Sequence, residues 1–210
     1  MFRVLFVLPL WCGFCSAASP AVDPESVEPP LGFAIQLGDQ SIRLHEGESA
    51  KLNGKFENPE VKLISDDFRT FPYAGVSFRY PKHFAFEADF ELEGRRYWAL
   101  DGNNCVISIH AHTARLTVTE FAELLVDQYG AANCRVTDTT LTLANQTLKG
   151  KRVEASIATS KIVQEVFLLP TGRTCTLLML QDTPGKDGAA SEERRIAGNL
   201  LSKSFAVSPK

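Results

Sequence analysis

Residues 84–100 read FAFEADFELEGRRYWAL, and the period of this stretch decides the class of fold. Phe84, Phe86, Ala88, Phe90 and Leu92 alternate with Glu87, Asp89, Glu91 and Glu93. That is the pattern of a strand with one face in a core and one in water. Glu93-Gly94 offers a two-residue turn. The chain is therefore expected to fold back with Glu91 opposite Arg96 and Phe90 opposite Tyr97. The four carboxylates then form a row on the watered face.

The text on either side has the same character. Upstream, GVSFRYP at 75–81 is a strand stopped by proline, and FAIQL, QSIRL, SAKL and VKLI between 33 and 65 are short strands separated by turn residues. Downstream, CVISIHA at 105–111 is a further strand. Thr117-Val118-Thr119-Glu120 is a capping box, and Val118, Phe121, Ala122, Leu125 and Tyr129 make one apolar helical stripe that Gly130 ends. VTDTTLTL, TLKGKRVEASIA, IVQEVFLL and TCTLLMLQ follow, joined by links short enough for antiparallel neighbours. A second helix is expected near 189–202, with Ile196, Ala197, Leu200 and Leu201 as its stripe. Hairpins with no βαβ alternation predict an α+β class with an antiparallel sheet, preceded by a small N-terminal β-hairpin segment.

The N-terminus raises a separate question. WCGFC at 11–15 lies one residue from the W-C-G-P-C of thioredoxin-like oxidoreductases, whose chemistry needs a strand before the motif and a helix after it. Here the motif sits in a one-charge n-region, an apolar run from Val4 to Phe14 and the small residues Cys15-Ser16-Ala17-Ala18. This is the layout of a cleaved secretory signal peptide. The run is well short of the ~20 residues that span a bilayer, so no transmembrane anchor is expected. The organisation that follows is a signal peptide at 1–18, a Pro-rich flexible linker at 19–32, the hairpin segment at 33–68 and the main domain at 69–210. The destination is outside the cytoplasm, periplasmic or secreted if the source is bacterial. The net charge of −3 and the lack of a basic run argue against nucleic acid.

GVSFRYPKHF, the capped helix with TEFAELLVDQYG, the strand around LKGKRVEAS and the terminal SKSFAV together resemble the PsbP-like superfamily. It includes extrinsic photosystem proteins, DcrB-like bacterial envelope proteins and a Ran-binding import factor. The resemblance runs over about 71–207 and implies an α/β/α sandwich serving as a binding or accessory module, without catalytic residues to transfer.

Candidate sites are few. His110 and His112 place two imidazoles on one face of a strand, roughly 6.5–7 Å apart along it. No third ligand at metal spacing accompanies them, so they read as a partly exposed strand end rather than a zinc site. Glu87, Asp89, Glu91 and Glu93 are spaced too widely for one calcium ion and read as a solvated face or a docking face for a basic partner. Cys105 and Cys175 both fall in strands and could pair as a disulfide or stay as free thiols. Hydrolase, metalloprotease, phosphate-loop and dinucleotide motifs are absent. The expected function is an exported, non-catalytic binding or accessory module, without a cofactor, for a protein partner or small ligand. The alternatives are a structural envelope component, or an enzyme with no local motif.

Overall fold

The structure is a computed structural model that describes residues 22–51, 54–55, 57–172 and 175–208. The signal peptide expected at 1–18, with its WCGFC, lies outside the described residues. Among the described residues no helix is long and apolar enough to cross a membrane.

The first strands form a small antiparallel sheet of their own. β1 (Gly32–Leu37) pairs with β2 (Gln40–His45) and with β3 (Val61–Ser65), in the order β2-β1-β3. Ser49, Ala50 and Lys51 of the expected SAKL strand are not in a strand, Leu52 lies outside the described residues, and VKLIS takes the place beside β1. β4 (Phe68–Phe71) and β5 (Val76–Pro81) pair next, and β5 also carries the last strand, β13 (Ala206–Val207). The large sheet has seven antiparallel strands in the order β6-β7-β8-β12-β11-β10-β9. These are β6 (Ala85–Asp89), β7 (Arg95–Asp101), β8 (Cys105–His112), β9 (Cys134–Leu143), β10 (Gln146–Ile157), β11 (Ser160–Leu168) and β12 (Cys175–Asp182). The helices are α1 (Val118–Tyr129) and α2 (Glu192–Ser204).

The expected α+β class, with an α/β/α sandwich flanked by helices, is corrected. Among the described residues strand makes up 48% against 17% helix, in three antiparallel sheets, so the fold is mostly β. The physical reason lies in 68–81. Phe71, Phe78 and Tyr80 are fully buried, and their aromatic bulk fills much of the layer that a flanking helix was expected to occupy. They pack on Trp98, Leu100, Ile107, Ile109, Leu178 and Leu180 of the large sheet, with Ala197, Leu201 and Phe205 at the side of α2. Ile196, expected in the α2 stripe, is 48% exposed.

The opposite face of the large sheet has a smaller core. Phe121, Ala122 and Leu125 of α1 pack on Val153, Val166, Leu177 and Met179. The capping box forms as its spacing predicts: Thr117 Oγ1 accepts from the Glu120 amide at 3.1 Å, and the Glu120 carboxylate accepts from the Thr117 amide at 2.7 Å. Those bonds satisfy two otherwise orphaned N–H groups and hold the Glu120 carboxyl below its usual range.

The β6–β7 hairpin departs from the sequence reading. β6 stops at Asp89, which pairs with Tyr97, so Phe90 does not face Tyr97 and Glu91 does not face Arg96. The Asp89 carboxylate accepts from the Glu91 amide at 3.0 Å, and Gly94 takes the left-handed φ of 76° that closes the longer turn. Phe90 turns inward against Trp98, with its ring under the Arg96 guanidinium.

The described part of the expected linker is docked rather than free. Asp23 caps a single 3₁₀ turn at Pro24–Ser26. Trp98 Nε1 donates to the Glu25 carbonyl at 2.8 Å, Tyr73 Oη to Val27 at 2.6 Å and Arg69 to Pro29 at 2.7 Å. Arg96 pairs with Asp23 and Glu25.

Leu125 is 7% exposed in the α1 core. Leu125→Ala is expected to cost about 2–5 kcal/mol in urea unfolding. A loss below about 0.5 kcal/mol would place Leu125 outside any core.

Candidate functional site

β8 runs between β7 and β12, and this sets the neighbours of the two histidines. His110 lies across from Tyr97 and Leu177, and His112 from Arg95 and Cys175. The His110 ring is wedged between the rings of Tyr97 and Phe121, each at 4.9 Å, and its Nε2 lies 3.0 Å from Ser108 Oγ. Burial, with His112 and Arg95 adding repulsion, pushes its pKa down to about 4. His112 stacks parallel to His110 at 6.4 Å and is lowered by burial and by Arg95.

Two neutral imidazoles could ligate a metal, but the surroundings do not complete a site. Among the described residues no group of three or more His, Cys, Asp or Glu could hold an ion. The Cys175 thiol donates to the Leu116 carbonyl at 2.9 Å, and Arg95 sets a positive charge beside His112. His110 packs on Phe121 of α1, and His112 packs on His110 beside Arg95.

The acidic row divides in two. Glu87 and Asp89 lie on β6, while Glu91 and Glu93 lie in the turn beyond it. By register, Glu87 and Asp89 share a face with Tyr97, Ala99 and Asp101. Asp89 pairs with Arg95 at 2.6 Å. Burial raises the Tyr97 pKa, and Glu87 and Asp101 push it further up.

Cys105 and Cys175 are free thiols. They sit at opposite ends of the β8–β12 pair, opposite Asp182 and His112 respectively, and belong to cores on opposite faces of the sheet. No disulfide can join them across that span. Burial pushes the Cys105 thiol up to about 12, so it is inert at neutral pH.

A charged cluster that the sequence reading missed lies on the other face, under α2. Glu165 accepts from Arg194 at 2.8 Å and from Arg152 at 3.2 Å. Arg152 also reaches Glu154 at 2.9 Å, and Glu154 pairs with Lys161 at 2.7 Å. Beside this chain is a cavity of about 300 Å³, lined by Arg152, Glu165, Asp182, Arg194 and Arg195 among others. Gln164-Glu165 inside the apolar run IVQEVFLL was the available signal, a polar pair in a strand that should be buried on both faces. No protein-family model matches the chain and no curated protein matches it, so the PsbP-like resemblance rests on the sequence motifs alone.

His110 gives a pH prediction. Its folded pKa is below its unfolded value of about 6.5, so protons bind preferentially to the unfolded chain. Stability is complete above about pH 6.5 and falls as pH drops toward 4, by up to about 3 kcal/mol from this residue. Urea unfolding at both ends of that window should show a markedly smaller pH dependence in His110→Gln. An unchanged dependence in the variant would contradict the assignment.

Proposed function

We propose that the protein is an exported, non-catalytic binding or accessory module that docks a basic protein partner on the open half of its large sheet. One observation carries this reading. Helix α1 lies chiefly over β9, β10 and β11, and at the other end of the same face β6 and β7 present Glu87, Asp89 and Asp101 around Tyr97. Glu91 and Glu93 continue the negative surface into the turn, with both side chains in solvent.

Strand pairing fixes the backbone that carries Glu87, Asp89 and Asp101, so binding has only their side-chain rotamers left to order. The strip carries one cation, Arg95, which is paired with Asp89, and its acidic excess steers an oppositely charged partner and disfavours like-charged ones. Tyr97 supplies an amphipathic aromatic at its centre, a residue type enriched at interfaces. The signal-like N-terminus supports export, and this reading draws on no cofactor and no nucleic acid.

A pull-down from the extracytoplasmic fraction, with the mature chain as bait, tests it. Glu87 and Asp101 are exposed, so Glu87→Lys with Asp101→Lys should leave the melting temperature nearly unchanged. The variant is expected to lose the captured partner by at least roughly tenfold, and capture by the unaltered chain should weaken with salt. Equal capture by both proteins, or capture by neither, contradicts the proposal.

A further inference from the structure

The cavity under α2 carries an inference that is independent of the acidic face. Its floor is β10, β11 and β12, contributing Arg152, Glu165 and Asp182, and its wall is the first turns of α2, contributing Arg194 and Arg195. Glu165 is fully engaged by the two arginines that flank it. Asp182 is not. The residue is only 4% exposed, and its Oδ2 accepts from the Ser191 amide at 3.1 Å. Its Oδ1 is buried and has no hydrogen-bond partner among the described residues.

An unpaired buried carboxylate oxygen is costly and uncommon, and it marks a place where a donor belongs. Holding the amide of Ser191, the N-cap of α2, explains one oxygen of Asp182 and leaves the other unexplained. At the rim, Arg195 is exposed, lines the same cavity and forms no ion pair among the described residues. The two uncommitted groups are thus an acceptor-only carboxylate inside and a donor-only guanidinium outside. The complementary ligand carries a donor-only cation at one end and an acceptor-only anion at the other. A cavity of about 300 Å³ fits a small molecule rather than a peptide chain.

We propose that this cavity is a binding site for a free α-amino acid, with its ammonium on Asp182 Oδ1 and its carboxylate on Arg195. Neither an anion alone nor a cation alone satisfies both groups. An anion would meet the Asp182 charge, and a simple cation would meet the arginines.

The test is an amide-resolved NMR titration of the mature chain with the common L-amino acids, added one at a time at millimolar concentration. At least one should shift the Gly188 and Ala190 amides saturably. Its N-acetyl and its amide derivatives should each bind at least roughly tenfold more weakly. Arg195→Ala, at an exposed position, should weaken binding by a similar factor without changing the melting temperature, and Asp182→Asn should abolish it. No saturable shift with any of them overturns the proposal, as does equal binding of the N-acetyl derivative or undiminished binding to Arg195→Ala. Loss of the basic partner on the opposite face would leave these shifts unaffected.

Discussion

The need to bury Trp98 together with its N–H governs much of this structure. The side chain is 1% exposed. Its ring meets Phe71 edge-on at 6.0 Å, Phe90 at 5.2 Å and Tyr73 in a stack at 6.3 Å. Such pairs contribute about 0.5–1.5 kcal/mol each beyond the area they bury. The indole N–H, shut away from water, needs an acceptor, and the Glu25 carbonyl provides it. One residue of β7 therefore joins the second sheet through Phe71, the inward turn after β6 through Phe90, and the N-terminal segment through Glu25.

The far end of the same core is closed by a different device. Glu193, in the first turn of α2, accepts from the Asn104 amide at 2.6 Å and the Cys105 amide at 3.2 Å, with His83 at 3.0 Å. Burial works against its charge, but these donors hold the carboxyl below its ordinary range. The helix is thereby pinned over the β7–β8 turn, and the adjacent Arg194 in the same turn meets Glu165 at the cavity edge. The large sheet presents two unlike surfaces as a result: an acidic strip beyond α1 on one face, and a mixed-charge cavity beneath α2 on the other.

Local signals in the sequence were readable where the physics is local. The Thr117–Glu120 box, the Phe121/Leu125 stripe and the alternation through 84–89 depend on residues a few positions apart, and each appears in the structure. Pairing between distant strands is a different matter. Nothing in GVSFRYP reveals that β5 joins β4 and β13 instead of the large sheet, and that choice decided the fold class. The alternation through Glu91 and Glu93 continued past the end of β6 because an Asp89 side-chain bond and Gly94 ended the strand without breaking the pattern. Cys105 and Cys175 looked like neighbours because each lies in a strand, whereas register puts them at opposite ends and on opposite faces. Asp182 gave no signal of its own. Its place beside Arg194 and Arg195 exists only once β12 and α2 are packed.

Native-state hydrogen exchange followed by mass spectrometry most directly tests whether the second sheet belongs to the same core as Trp98. The peptide covering residues 68–81 should be protected to the same extent as the peptide covering 95–112, since both open only with the whole domain. Exchange of 68–81 at the rate of an open loop, while 95–112 stays protected, would contradict the aromatic junction on which this account rests.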